Sequence, residues 1–208
     1  MNHSDPKPRK APALRLMAVA ERLIGDHGYD NVSLVQIAKA AGQGNKYAVQ
    51  YHFGDKENLV RAIFDDRLAR ISERRRALLD AIADDNPRDL LRAFIQPVHE
   101  EVDSRGEHCY ARFAERMLDT PLAPELWFAS AHFATTAEVG TRLANLYRHL
   151  DPADFARRQR LVSALLLQTL TLIDRERREG AGPDAIDAML DTAIAMGCAS
   201  FAMATLAG

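Results

Sequence analysis

Residues 33–56, SLVQIAKAAGQGNKYAVQYHFGDK, decide the reading of this chain. Ser33 followed three residues later by Gln36 forms a capping box, in which each side chain satisfies a backbone N–H at a helix start. Ile37, Ala38 and Ala41 supply a narrow apolar face, and Gly42 offers the left-handed backbone that ends a helix sharply. Asn45 is a good N-cap, so the pattern predicts a second helix over Lys46 to Gln50 with Ala48 and Val49 turned inward. Two short helices joined by a Gly-containing turn make a helix-turn-helix unit.

In that unit Lys46, Tyr47 and Gln50 project from the outer, N-terminal side of the second helix, free to meet a DNA major groove. Lys46 can neutralise a phosphate or donate to a guanine edge. Gln50 can pair bidentately with adenine, and Tyr47 brings a ring for thymine methyls and a hydroxyl for a phosphate. Tyr51 and His52, placed just past the helix, and Lys56, at the start of the next one, are polar tips suited to holding the duplex backbone. Ser33 joins them as a DNA-contacting candidate, while Phe53 is expected to face the core.

From about Leu16 to Leu59 the chain resembles the DNA-binding domain of the tetracycline-repressor (TetR) family of bacterial transcription regulators. The matching residues are Ala20, Leu23 and Ile24, the Gly28-Tyr29 turn, Ser33, Ile37-Ala38, Gly42, and Tyr51-His52-Phe53-Gly54-Asp55-Lys56-Glu57 with Leu59. The stretch from Gly42 to Val49 is one residue longer than in many members, and the extra residue is placed in the turn at Gln43 or Gly44. The resemblance implies an all-α chain with an N-terminal three-helix DNA-binding domain and a C-terminal helical domain for ligand binding and dimerisation. It also implies a homodimer, a double-stranded operator and a small-molecule effector of unknown identity.

A chain of 208 residues can hold one large or two small cores. It has 27 basic and 29 acidic residues, which excludes a generally basic nucleic-acid coat. Divided after Glu57, the first part has 8 basic against 6 acidic residues and the rest 19 against 23, so the positive balance sits with the motif. Cys109 and Cys198 lie far apart and match no metal spacing, which suits a reducing cytoplasm. The polar N-terminus reads as no signal peptide. The uncharged run Leu161–Ile173, thirteen residues, falls short of the roughly 20 that span a bilayer, so no membrane partner is expected.

Nor does the chain read as an enzyme. His99 and Asp103 share a helical spacing, yet no third ligand has a recognisable spacing, HEEVD is not the H-E-x-x-H zinc motif, and neither a phosphate loop nor a nucleophile elbow occurs. No catalytic, metal or cofactor site is assigned.

Taken in order, residues 1–10 are expected to be a disordered basic arm carrying Lys7, Arg9 and Lys10. Residues 11–57 are assigned to the DNA-binding domain and 58–208 to the effector-binding and dimerisation domain. A first helix is predicted over Ala11 to His27. Asp55 caps a long helix to about Ile82, on which Arg74, Arg75 and Arg76 read as a solvated face. Prolines then mark helix starts at Asn86-Pro87, Asp151-Pro152 and Gly182-Pro183. The helix from Pro87 is expected to reach about Ser104, with a kink at Pro97.

Small residues at helical spacing, Ala193, Gly197, Ser200 and Ala204, with Leu165, Leu190 and Phe201 beside them, are expected to form a symmetric dimer face. For the effector the candidates are Phe94, Val98, Tyr110, Phe113, Met117, Trp127, Phe128, His132 and Phe133, with Gln168 and Thr169 as polar residues, an inventory suited to a mostly hydrophobic compound with one or two polar groups. Two other readings stay open: a helical small-molecule binding protein with weak or lost DNA binding, and a regulator whose core is filled and needs no effector.

Overall fold

The structure is a computed structural model that describes residues 11–118, 120–122 and 130–203. The expected basic arm, Trp127, Phe128 and Ala204 lie outside the described residues. No strand occurs among those described.

The first helix, α1, spans Ala11–His27 as predicted. Next come α2 (Leu34–Ala40), α3 (Ala48–Phe53) and α4 (Lys56–Asp80). Ser33 and Gln36 close the capping box of α2: the Gln36 N–H donates to Ser33 Oγ at 3.2 Å and the Ser33 N–H to Gln36 Oε1 at 2.7 Å. Asp55 caps α4, accepting from the Asn58 N–H at 2.7 Å. Leu16, Ala20, Ile24, Ile37, Val49, Leu59 and Ile63 pack into one core, which joins α1, α2 and α3 to the first turns of α4.

Beyond this head the chain adds α5 (Pro87–His99), α6 (Cys109–Leu118), a 3-10 turn (Ala131–Phe133) leading into α7 (Ala134–Leu146), α8 (Pro152–Arg178) and α9 (Pro183–Ala202). Asn86 and Asp151 cap α5 and α8 with their side chains, and proline occupies the first position of α5, α8 and α9. The helix from Pro87 stops at His99, short of the expected Ser104. Asp103 there accepts the backbone N–H groups of Arg105 and Glu107 at 2.8 and 3.0 Å and folds the chain into a loop. By length and composition α9 is apolar enough to cross a bilayer, yet its Ile186, Leu190, Ala193, Ile194, Gly197 and Phe201 are buried within the helical core.

The arginines of α4 tie the layers together. Arg67 bridges Glu21 of α1 at 2.8 Å and Glu101 after α5 at 2.7 Å. Arg74 pairs with Glu100 at 2.8 Å and Arg76 with Glu138 of α7 at 2.6 Å. Arg75, expected in solvent with its neighbours, is instead 2% exposed. Its Nε donates to the Ala93 carbonyl at 3.1 Å. That carbonyl is free because Pro97, four residues on, has no N–H to give it.

A second buried network closes the far side. His108 Nδ1 meets Asp174 Oδ1 of α8 at 2.6 Å, and His108 Nε2 meets His99 Nδ1 at 3.0 Å. Burial, the neighbouring His108 and Arg177 lower the His99 pKa to about 4. An unfolded histidine titrates near ~6.5, so between that pH and about 4 the unfolded chain takes up a proton the folded chain refuses, and stability falls as pH falls. His99→Asn, which keeps a hydrogen-bonding group but does not titrate, is expected to narrow the gap between melting temperatures at pH 7 and pH 5. Thermal scans at the two pH values check this, and an unchanged gap would refute it.

Candidate functional site

The helix-turn-helix differs from expectation in where its second helix begins. Asn45 does cap the turn, but its Oδ1 accepts the Tyr47 N–H at 2.9 Å and its carbonyl accepts the Ala48 N–H at 3.1 Å. Residues 45–48 are thereby folded as a turn ahead of the helix. Lys46 and Tyr47 belong to this turn, and α3 runs on through Tyr51, His52 and Phe53 to Gly54, whose φ of +83° ends it. Tyr51 and His52, expected past the helix, are inside it.

This register sets what the head displays. Ala48 and Val49 are buried, as predicted, and Phe53 is half-buried against the core. Tyr47, Gln50 and Tyr51, at i, i+3 and i+4, form one exposed strip, and Tyr51 is 82% exposed. Lys46 Nζ lies 5.0 Å from the centre of the Tyr47 ring, and the Tyr51 and His52 rings meet edge to face at 5.0 Å. Ser33 Oγ is used as an acceptor within the cap, while its O–H remains a donor.

Lys56 is turned toward the protein. Its ammonium donates to the Tyr29 carbonyl and sits 4.0 Å from the centre of the Tyr29 ring, and burial lowers its pKa. The side chain is therefore a strut between the loop after α1 and the first turn of α4, with two N–H groups to spare. Lys56→Met is expected to cost about 1 kcal/mol of stability in addition to any DNA affinity. Melting without DNA checks it; a loss of affinity with no loss of stability would show that the amine serves DNA alone.

A cavity of about 650 Å³ lies among α4, α5, α6, α7 and α8. Of the predicted effector residues it gathers Phe94, Val98, Tyr110 and Phe133, and it adds Arg75 and Thr136. Other candidates are placed elsewhere. Phe113 and Met117 are core residues, with Phe113 packed 5.1 Å from the Phe64 ring centre. Thr169 is buried with its hydroxyl donating to the Leu165 carbonyl at 2.8 Å. His132 is exposed. Gln168 is on the outer face of α8, where its amide nitrogen reaches Glu115 at 2.6 Å in the orientation that satisfies both groups.

The predicted dimer face is corrected in the same way. Leu190, Ala193, Gly197 and Phe201 are buried inside the chain, because small residues let α9 approach its own α5 and α8. A Cβ at Gly197 would fall 2.9 Å from Leu91 Cδ1 and Val162 Cγ1, and Phe201 stacks on Tyr147 at 5.2 Å. Ser200 and Leu165 are half-buried. The large apolar residues that α8 and α9 leave exposed are Leu161, Leu172 and Met196, with Met203 just beyond.

Asp103, Glu107 and Cys109 bring three candidate ligand atoms within 4.8 Å of one another. Each is already engaged: Asp103 by backbone N–H groups, Glu107 by Arg112 at 3.1 Å, and Cys109 by Asp103 at 3.4 Å. Burial pushes the thiol up to about 12, so the group that metals bind, the thiolate, is disfavoured.

A helix-turn-helix head with an exposed second helix, joined by α4 to a helical body with its own cavity, is the architecture of a DNA-binding transcription regulator. The chain matches the bacterial regulatory proteins of the tetR family over residues 16–63 and the tetracyclin repressor-like C-terminal domain over residues 92–200, and it belongs to the tetR family. It is 37% identical over 54 residues to the HTH-type transcriptional repressor AcnR of Corynebacterium glutamicum, a stretch that covers 26% of this chain and 28% of that relative. A putative tetR family regulator from Shewanella sp. PV-4 superposes with a TM-score of 0.63 at 14% identity, covering 92% of this chain and 98% of that one. A family regulator from Marinobacter aquaeolei VT8 gives 0.61 at 16% identity, over 91% and 94%. A TetR variant from Acinetobacter baumannii AYE, solved with minocycline, gives 0.52 at 20% identity, over 90% and 94%. At these identities the likeness to solved structures is one of fold.

Proposed function

We propose that this chain is a homodimeric repressor, released from a pseudo-palindromic operator in the cytoplasm when a small, mostly apolar effector enters the cavity. Residues 11–57 form the DNA-reading unit, with Tyr47 and Gln50 toward the major groove and Lys46, Tyr51, His52 and Ser33 toward the backbone. Residues 58–208 sense the effector and dimerise. The observation that carries this reading is the course of α4: it begins at the Asp55 cap beneath the recognition helix and contributes Leu68, Ile71 and Arg75 to the cavity wall. A relative named as a repressor and a neighbour of the same fold holding minocycline support the same assignment.

Two heads must reach half-sites about one helical turn, ~34 Å, apart. The exposed apolar residues of α8 and α9, Leu161, Leu172 and Met196, are the surface we assign to the partner chain. An effector that binds better when the heads are wrongly spaced shifts the population away from DNA, whereas one with equal affinity for both spacings shifts nothing. Selection of bound duplexes from a random pool at near-physiological salt tests the proposal. A recovered pseudo-palindrome is expected; no enriched sequence would overturn specific DNA recognition and leave a helical ligand-binding protein.

A further inference from the structure

The effector cavity has a charge pattern that its apolar walls conceal. Among the described residues that line it none is aspartate or glutamate, whereas Arg75, Arg157 and Arg160 are all present. Arg157 is exposed and already pairs with Asp154 at 2.8 Å. Arg75 is different. It is buried, and among the described residues its three hydrogen bonds go to the Ala93 carbonyl, the Phe94 carbonyl at 2.8 Å and the Thr136 hydroxyl at 2.6 Å. All three acceptors are neutral, and no carboxylate pairs with Arg75 among the described residues.

A guanidinium has five N–H donors, so two remain beyond these contacts. Burial lowers the Arg75 pKa to about 10, which leaves it charged at neutral pH. A buried cation without an anion is unfavourable, and it becomes favourable only when an anion arrives with hydrogen-bonding geometry. Filling the carbonyl that Pro97 leaves open accounts for Nε; it does not account for a full positive charge on the wall of a cavity.

We infer that Arg75 is an effector-binding residue and that the effector is an amphiphilic monoanion, a carboxylate on an apolar body. The carboxylate would take the free guanidinium N–H groups, and the body would lie along Leu68, Ile71, Leu91 and Val139. Around Arg75 those apolar walls disfavour a compact hydrophilic anion such as phosphate, which would lose more hydration than the two free N–H groups replace. The inference rests on the cavity being the effector site, as proposed above, and adds the charge of what fills it. An acyl chain and an aromatic ring share this chemistry.

Calorimetric titration of the full chain with two matched pairs tests it: decanoate against decanol, and 2-naphthoate against 2-naphthol. In at least one pair the acid is expected to bind about 10-fold or more tightly than its neutral partner; which pair shows it tells chain from ring. Arg75→Met should abolish that preference and Arg75→Lys should keep part of it. Should Arg75→Met fail to fold, the wild-type preference and the lysine variant still decide. Equal binding of acid and neutral partner overturns the inference but leaves the effector reading standing, provided either compound releases selected operator DNA. A protein that binds its operator yet takes up none of the four compounds overturns the inference as well.

Discussion

Asp174→Ala is expected to destabilise the protein by about 3 to 5 kcal/mol, the range for removing one partner of a buried charged pair. Asp174 lies on α8 with 2% exposure and accepts the His108 N–H at 2.9 Å, His108 Nδ1 at 2.6 Å and Arg112 Nη1 at 2.7 Å. These contacts fasten α8 to the loop before α6 and to α6 itself, and α6 in turn packs along α1 of the head. Alanine would leave a guanidinium, an imidazole N–H and a backbone N–H facing an empty space, each carrying its desolvation penalty. For a chain of this size the loss corresponds to a fall in melting temperature of roughly 6 to 20 °C. Asp174→Asn, which keeps one acceptor oxygen and the volume, should fall between the two. A loss below about 1 kcal/mol in thermal or denaturant unfolding would mean that water reaches these donors when the carboxylate is gone, and that the network orients helices without stabilising them.

What the sequence made legible follows from how local each signal is. The capping box of Ser33 with Gln36, the Asp55 cap and the proline helix starts after Asn86 and Asp151 are contacts between neighbours in the chain, and the structure forms each of them. The start of α3 was misplaced by two residues because Asn45 can either cap a helix or hold a turn, and the lengthened connection from Gly42 lets it hold the turn.

Arg75 was hidden for a different reason. Its neighbours Arg74 and Arg76 do pair with surface acids, and charge pattern alone cannot show that the middle residue points inward. The one available signal was Pro97, which leaves a carbonyl open on α5 and so calls for a donor from another element. On α9, Leu190, Ala193, Gly197 and Phe201 were expected against a partner and are buried within the chain, because small residues at helical spacing state that a helix comes close without stating whose helix it is. In the cavity, Phe94, Val98, Tyr110 and Phe133 were legible as apolar residues of the sensor half, whereas Gln168 and His132, expected there as polar groups, are exposed elsewhere.

The largest effect on function is expected at the recognition strip, and the register of α3 decides its form. Gln50 stands exposed between Tyr47 and Tyr51 on the side of α3 opposite Ala48 and Val49. A glutamine amide placed there matches the donor and acceptor of adenine, and losing such a pair changes discrimination by about 1 to 3 kcal/mol at one base pair. Gln50→Ala should therefore lower affinity for the selected operator, flatten the preference at a single position in each half-site, and leave the slope of affinity against salt unchanged, since no phosphate contact is lost. Tyr51→Ala should behave differently. A ring that is 82% exposed adds little to folding, so melting should stay within about 0.5 kcal/mol of the parent while affinity falls alike across operator variants, as for a contact to the backbone. If Gln50→Ala weakened every sequence equally and Tyr51→Ala relaxed one base pair, the roles of the two residues would have to be exchanged, which corresponds to rotating α3 by about 100° in the groove.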